Sequence, residues 1–327
     1  MTRRSPLKPW PNEHPIGAVV DLHAAYTQDP PPRNDVLLGA EPGELTMLIG
    51  LGGVMKSQML LGNIAHDLAT GGMLRTSLLP DDIGPQRVLY VTAEESVIEL
   101  GRRLHRIGTH LPPGAREICA QNLVVQSIKG KRMPLITAHG EVDPAIYDQI
   151  ARAGDGANCI IIEPLNRFCK ADGNADATMS TFVEVCESIG IQCQALVVSA
   201  HHSGKTAEWN GHSASALAAK GSTALIDGAR LNMVLARVAE KVLRWRKLTN
   251  YYRTLTIAKA NNRKEGTLWF RVRDDGTLEY DEFETFREDL EQDDREQRNA
   301  NGKRRSKSVS IADVDRNGRH VCGLKDA

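Results

Sequence analysis

The sequence predicts an α/β fold: a mostly parallel twisted sheet flanked by helices, with antiparallel strands added at the C-terminal edge. Three observations lead there. From Glu44 onward, short apolar runs alternate with helical segments, the pattern of βαβ units. A glycine-rich stretch, Gly50-Leu-Gly-Gly-Val-Met-Lys56-Ser57, joins an apolar run, Leu45–Ile49, to a helix-like segment beginning at Ser57. Late in the chain, the runs 231–237, 251–259 and 267–273 alternate with period two, as half-buried antiparallel strands do.

The elements follow in order. Residues 1–34 are polar and Pro-rich, with Pro30-Pro31-Pro32 at their end, and read as an arm or linker in which only Ile16 to Tyr26 forms a short helix. The main domain, 35–285, opens with the strand at Leu45 and a helix from Ser57 to Thr70, closed by Gly71-Gly72 and buried along Leu60, Leu61, Ile64 and Leu68. A strand at Val88–Val91 leads into Thr92-Ala-Glu94-Glu95 and a helix to about Gly108. Residues 109–142 are less regular, with a strand at Leu123–Gln126 and a basic loop at Lys129–Arg132. A helix from Pro144 to Ala153 precedes the strand Cys159–Glu163. A helix from Asp176 to Ile189 precedes an apolar strand from Ala195 to Ser199 that runs on to His201-His202, followed by a loop of small residues, Ser203 to Ala219. Past Tyr280 the composition turns acidic (Glu288 to Glu296) and then basic (Lys303 to Lys307), so 286–327 reads as a disordered tail.

Composition narrows the function. At 327 residues, 41% hydrophobic, the chain can bury a substantial core, and 41 basic against 41 acidic residues leave no global field to draw it to nucleic acid or membrane. None of the six cysteines falls in a CxxC pair or a zinc-type Cys/His spacing, so reduced thiols are expected. The N-terminal Arg3, Arg4 and Lys8 are followed by polar sequence rather than a signal segment, and no apolar run nears the ~18 residues of a membrane span. A soluble, cytoplasmic protein is expected.

The Gly50–Ser57 stretch approximates G-x-x-x-x-G-K-[ST], a phosphate-binding loop. Backbone N–H groups from Gly50, Gly52, Gly53, Val54 and Met55 to Gln58 would close around phosphate oxygens, Lys56 would meet the β/γ charges of ATP and Ser57 would meet Mg²⁺. Met55 stands where the pattern has its second Gly. The bland alternative, an ordinary strand-to-helix turn, does not account for Lys-Ser in register. Four apolar residues ending in Glu163 deliver an acid to the metal shell; otherwise it is a solvated strand end. Glu94 is the choice for the carboxylate that orients the attacking water, with Glu95 its rival. His201 and His202 end a strand where a side chain could report a γ-phosphate, although such a pair is ordinarily structural. Arg230 is either a surface ion-pair partner or an arginine finger supplied to a neighbouring subunit. Arg244 to Arg273 holds nine basic residues against Glu265, interleaved with Tyr251, Tyr252, Trp269 and Phe270: a solvated sheet edge, or a surface that binds nucleic acid.

The ordered series Gly-Gly-x-x-Lys56-Ser57, Val88-Leu-Tyr-Val-Thr-Ala-Glu94-Glu95, Arg103-Leu-His-x-x-Gly108, Ile160-Ile-Ile-Glu163-x-Leu-x-Arg167-Phe168, His201-His202, Lys220-Gly-Ser222 and Ala258-Lys259-Ala-Asn261 resembles the RepA-type plasmid replicative helicases over roughly residues 35–275. These are hexameric P-loop ATPases of the RecA/DnaB-like superfamily. The resemblance implies a RecA-like core, a homo-oligomeric, six-membered ring, and ATP-driven movement on single-stranded DNA. It places Glu94 as catalytic carboxylate, Glu163 as second acidic metal-site residue, His202 or His201 as sensor and Arg230 as arginine finger. It also moves the expected DNA contacts to two loops, with Arg167 and Lys170 on one and Lys205 and Trp209 on the other. The family usually has Asp at the place of Glu163 and Gly at the place of Met55, so Met55 has to turn its side chain away from phosphate. The alternative function is a RecA-like DNA-dependent ATPase, in recombination or regulation, that does not unwind.

Overall fold

The computed structural model describes residues 19–170, 176–202, 223–238, 240–245, 248, 251–262 and 266–281. The expected loop 203–219 with Lys205 and Trp209, the Lys220-Gly-Ser222 segment and the tail 286–327 lie outside them. Contacts divide the chain into two units, Met1–Asn34 and Asp35–Ala327. In the first, α1 (Leu22–Thr27) is a short helix with no buried residue; the Asp21 carboxylate caps it by accepting from Ala24 N at 3.0 Å, which fixes its start later than the sequence suggests.

In the second unit, β1 (Leu45–Gly50) is buried throughout, as befits a strand with parallel neighbours on both sides. One neighbour is β5 (Leu196–His202) and the other is β6 (Leu231–Arg237). Beyond β5 lie β4 (Cys159–Glu163), β2 (Val88–Thr92) and β3 (Leu123–Ser127); beyond β6 lie β7 (Tyr252–Ala260), β8 (Gly266–Val272) and β9 (Leu278–Asp281). These nine described strands form one sheet in the order β3-β2-β4-β5-β1-β6-β7-β8-β9, parallel from β3 to β6 and antiparallel from there on.

The sequence reading put 231–237 among the antiparallel additions. In the structure β6 runs parallel to β1 and every residue but Arg237 is buried. Its Leu231, Met233 and Leu235 face one apolar cluster and Val234 the other, so what looked like an edge strand belongs to the doubly covered core. Antiparallel pairing begins only at β7.

Helices cover both faces. The helical stretches Lys56–Gln58, Met59–Ala65 and His66–Thr70 run on as one helix, α2, π-wound in its middle part and closed by Gly71 in the left-handed conformation. With α3 (Val97–Thr109) and α4 (Ala115–Asn122) it packs on the face carrying Leu48, Tyr90, Ile161 and Val198. The opposite face, with Met47, Ile49, Leu89 and Ile160, takes α5 (Pro144–Ala153), α6 (Leu165–Phe168), α7 (Asp176–Cys193) and α8 (Thr223–Gly228). A third, small cluster joins Leu243 of α9 (Glu240–Trp245) to Tyr252 and Trp269.

Local chemistry sets the helix starts. Ser96 accepts from Glu99 N ahead of α3, and Asp143 accepts from Ala145 N and Ile146 N ahead of α5, whose first residue is Pro144. The expected stripe on α2 understates its burial. Residues 59–70 are all buried, because β9 and α4 close over the side turned away from the sheet: Asn63 donates to Leu278 O, and Asn122 donates to Ala69 O. Burying a Leu or Ile side chain contributes about 1.5–3 kcal/mol, so Leu60, Leu61, Ile64 and Leu68 make this helix the best-anchored wall of the site.

Candidate functional site

The C-terminal ends of β1, β2, β4 and β5 and the start of α2 surround a cleft of ≈ 340 Å³ lined by Met55, Lys56, Ser57, Glu94, Glu163 and His202, among others. That is where ligands bind on open parallel sheets. A side chain at Gly50 is excluded, because its Cβ would stand 2.6 Å from Leu235 O and 2.9 Å from Val54 Cγ2. The loop wraps Val54, which is buried, and enters α2 through Met55 at φ 79° and ψ 33°. This left-handed conformation is why the motif calls for Gly there; a residue with a Cβ pays about 1–2 kcal/mol. The Met55 side chain, half-buried, rests on the apolar cluster that holds α2.

Lys56 is 8% exposed, and its ammonium donates to Gly50 O at 2.8 Å and Leu51 O at 2.9 Å. It also lies 3.2 Å from His202 Nδ1, which acts as acceptor when Lys56 is protonated. Burial pushes the Lys56 pKa down from 10.5 to about 8, against the upward pull of Glu163 and Glu94. Glu163, 2% exposed, has both carboxylate oxygens engaged. Ser57 Oγ donates to Oε2 at 3.0 Å and the Tyr90 hydroxyl donates to Oε1. Burial raises the Glu163 pKa, while the hydrogen bonds from Tyr90 and Ser57 hold it down.

The adjacent carboxylates at the end of β2 part company. Glu95 is clasped by Arg103, with Nε 3.0 Å from Oε2 and Nη2 2.5 Å from Oε1, and the same guanidinium donates to Gln58 Oε1. Glu94 faces the cleft, with Arg167 Nε 3.9 Å from its Oε1. The histidines part likewise. His202 shares the α2 side with Lys56, whereas His201, buried and paired in register with Ile49, points to the other face.

Arg230 is elsewhere. It is exposed at the N-terminal end of β6, its backbone N bonded to Leu45 O, a full strand length of about 17 Å from the loop at Gly50. It therefore cannot join the groups converging on its own chain's cleft. Lys170 is exposed after α6. In the basic stretch 244–273, Tyr252, Trp269 and Phe270 are buried, and Arg271 and Arg273 pair with Glu279, leaving Tyr251 as the aromatic side chain there that is exposed. Base stacking on Tyr252, Trp269 or Phe270 is thereby excluded.

Three residues at the cleft had no role in the sequence reading: Tyr90, Arg103 and Arg237, whose Nη2 reaches Gly53 O at 3.5 Å. The Tyr90 signal was there to be read, since a tyrosine in a wholly apolar strand needs a hydrogen-bond partner. The set fits a phosphate chain with Mg²⁺: one hydroxyl and one carboxylate side by side suit an ion that keeps several waters and takes the rest of its shell from phosphate. Among the described residues no group of three or more His, Cys, Asp or Glu could hold a metal by themselves.

A parallel sheet whose strand β1 passes through a glycine-rich loop into a helix beginning Lys-Ser, with a buried carboxylate against that Ser, defines a P-loop nucleoside-triphosphatase domain. The chain belongs to the AAA domain family, whose profile matches residues 13–208. Its fold is similar to that of a solved helicase ATPase domain, at a TM-score of 0.50 over 74% of this chain and 86% of that one, with 12% sequence identity. That likeness is one of fold. No helix among the described residues is long and apolar enough to cross a membrane.

Proposed function

We propose that this chain is an ATP-hydrolysing DNA helicase or translocase that works as a homo-oligomeric ring, a hexamer, on single-stranded DNA during replication of a plasmid or mobile element. The observation that carries the reading is the convergence of Lys56, Ser57, Glu94, Glu163 and His202 on one cleft. Lys56 would exchange its contacts with Gly50 O and Leu51 O for the β/γ-phosphates, and the loop amides from Gly50 to Gln58 would close around them. Ser57 and Glu163 would hold Mg²⁺, which neutralises charge on the phosphates. Glu94, the carboxylate not clasped by Arg103, orients the attacking water, and His202 senses the γ-phosphate through its contact with Lys56.

Because Arg230 stands at the far end of the sheet, its role as an arginine finger is toward the neighbouring subunit. DNA is contacted by Arg167 and Lys170 and by Lys205 and Trp209. We assign 1–34 to an arm, 35–285 to the ATPase domain and 286–327 to a tail. The motif series supports the helicase reading; the family and the fold support ATP hydrolysis.

The test is ATP turnover with and without single-stranded DNA, alongside mass in solution. DNA-stimulated hydrolysis by a hexamer is expected, and a monomer indifferent to DNA would overturn the proposal. Strand displacement on a forked duplex then separates a helicase from an ATPase that binds DNA without unwinding it.

A further inference from the structure

We infer that Tyr90 is a positioning residue for the Glu163 carboxylate, holding it where the cleft would present it to Mg²⁺; the inference rests on the reading of this cleft as a Mg²⁺–nucleotide site. Tyr90 is fully buried on β2 and Glu163 is 2% exposed on the adjacent parallel strand β4. Tyr90 lies opposite Ile161 and Thr92 opposite Glu163, so Tyr90 and Glu163 stand on the same face, two residues apart along the strands. A phenol leaning along its strand spans that offset, and its hydroxyl meets Oε1 while Ser57 Oγ meets Oε2.

A glutamate has one more side-chain torsion than an aspartate. Held by Ser57 alone, its carboxylate would pivot about that single contact; donors from two different elements, β2 and α2, fix both oxygens. These are the side-chain hydroxyl donors to Glu163 among the described residues. Ser57 is itself expected to turn a lone pair to the cation, and Tyr90 is the donor that has no second task. Glu95 and Arg103 contribute charge around the pair but make no hydrogen bond to Glu163.

Tyr90→Phe removes one oxygen and keeps the ring. Binding of a fluorescent ATP analogue is measured against Mg²⁺ concentration and again in EDTA, with the thermal midpoint of the nucleotide-free protein alongside. An outer-shell partner of a metal ligand typically accounts for about tenfold or more in metal affinity, so the half-saturating Mg²⁺ concentration is expected to rise about tenfold while binding in EDTA is unchanged. An unaltered Mg²⁺ dependence, or equal weakening with and without Mg²⁺, would overturn the inference, since a purely structural tyrosine would give one or the other. If the unsubstituted protein shows no Mg²⁺-dependent binding, the reading of the cleft itself fails, which is a distinct result.

Discussion

Lys56→Met separates what the lysine does for the cleft from what it does to the fold. In the nucleotide-free protein the ammonium is buried, and burial brings its pKa from 10.5 to about 8 despite Glu163 and Glu94. At about 1.4 kcal/mol per pKa unit, folding disfavours the charged form by about 3 kcal/mol at pH 7. Methionine has nearly the same length and no charge, so that cost disappears. Against it, Gly50 O and Leu51 O lose their donor, which costs about 1–2 kcal/mol where the cleft admits water. The expected net effect is a nucleotide-free protein more stable by about 1–2 kcal/mol in urea unfolding at pH 7. Affinity for an ATP analogue falls about 10–100-fold, the loss of one charge-assisted contact.

The pH dependence has a defined sign. The folded pKa lies below the unfolded one, so between about pH 8 and 10.5 the unfolded chain holds more protons and this lysine makes stability rise with pH. The penalty is present in full below about pH 8, and the advantage of Lys56→Met shrinks through that window. A variant less stable than the parent at pH 7, or a stability difference that stays flat from pH 8 to 10, would refute the reasoning.

Glu94→Gln is expected to keep analogue binding and lower turnover at least about 100-fold, whereas Glu95→Gln, which only loosens Arg103, lowers it less than about tenfold; steady-state kinetics giving the reverse order would exchange their roles. Met55→Gly relieves about 1–2 kcal/mol of left-handed strain but gives up packing and about 0.5–1 kcal/mol of backbone entropy. Its urea midpoint should therefore stay close to that of the parent, and a marked fall would mean that the Met55 side chain outweighs its backbone strain. Arg230→Ala is expected to spare nucleotide binding and cut turnover about a thousandfold. Mixed with Lys56→Ala protein it should regain activity, because each variant supplies what the other lacks; mixtures no more active than their parts would rule out action across subunits.

The sequence showed most where a residue pattern has one structural solution. Cys159–Glu163 and Pro144–Ala153 have the bounds their apolar run and Asp-Pro start suggested, because a buried parallel strand and a capped helix each leave a local signature. It showed least where the outcome depends on what packs from elsewhere. The period-two text of 231–237 was equally compatible with an edge strand, and only β1 and β7 on either side decide that it is central. Short elements such as α4, α6, α8 and β9 offer too few residues for periodicity to register. In the cleft, Lys56, Ser57 and Glu163 were visible from their spacing, but the partition of Glu94 from Glu95 and of His202 from His201 required Arg103 and Lys56 to show which side chains were already engaged.

The π-wound middle of α2 gives the helix slack. Its N-terminal end is fixed by Ser57 at Glu163, and its C-terminal end by Asp67, which accepts from Leu74 N at 2.8 Å and Thr76 N at 3.1 Å. Between these two moorings, a π turn holds one residue more than an α turn would. Removing a single residue within 59–65 would therefore let the helix relax to ordinary winding with both moorings in place, while the same deletion in 66–70 would drag Asp67 out of register. The helix carries its own allowance for a change of length, and that allowance lies next to the cleft rather than at the distant end.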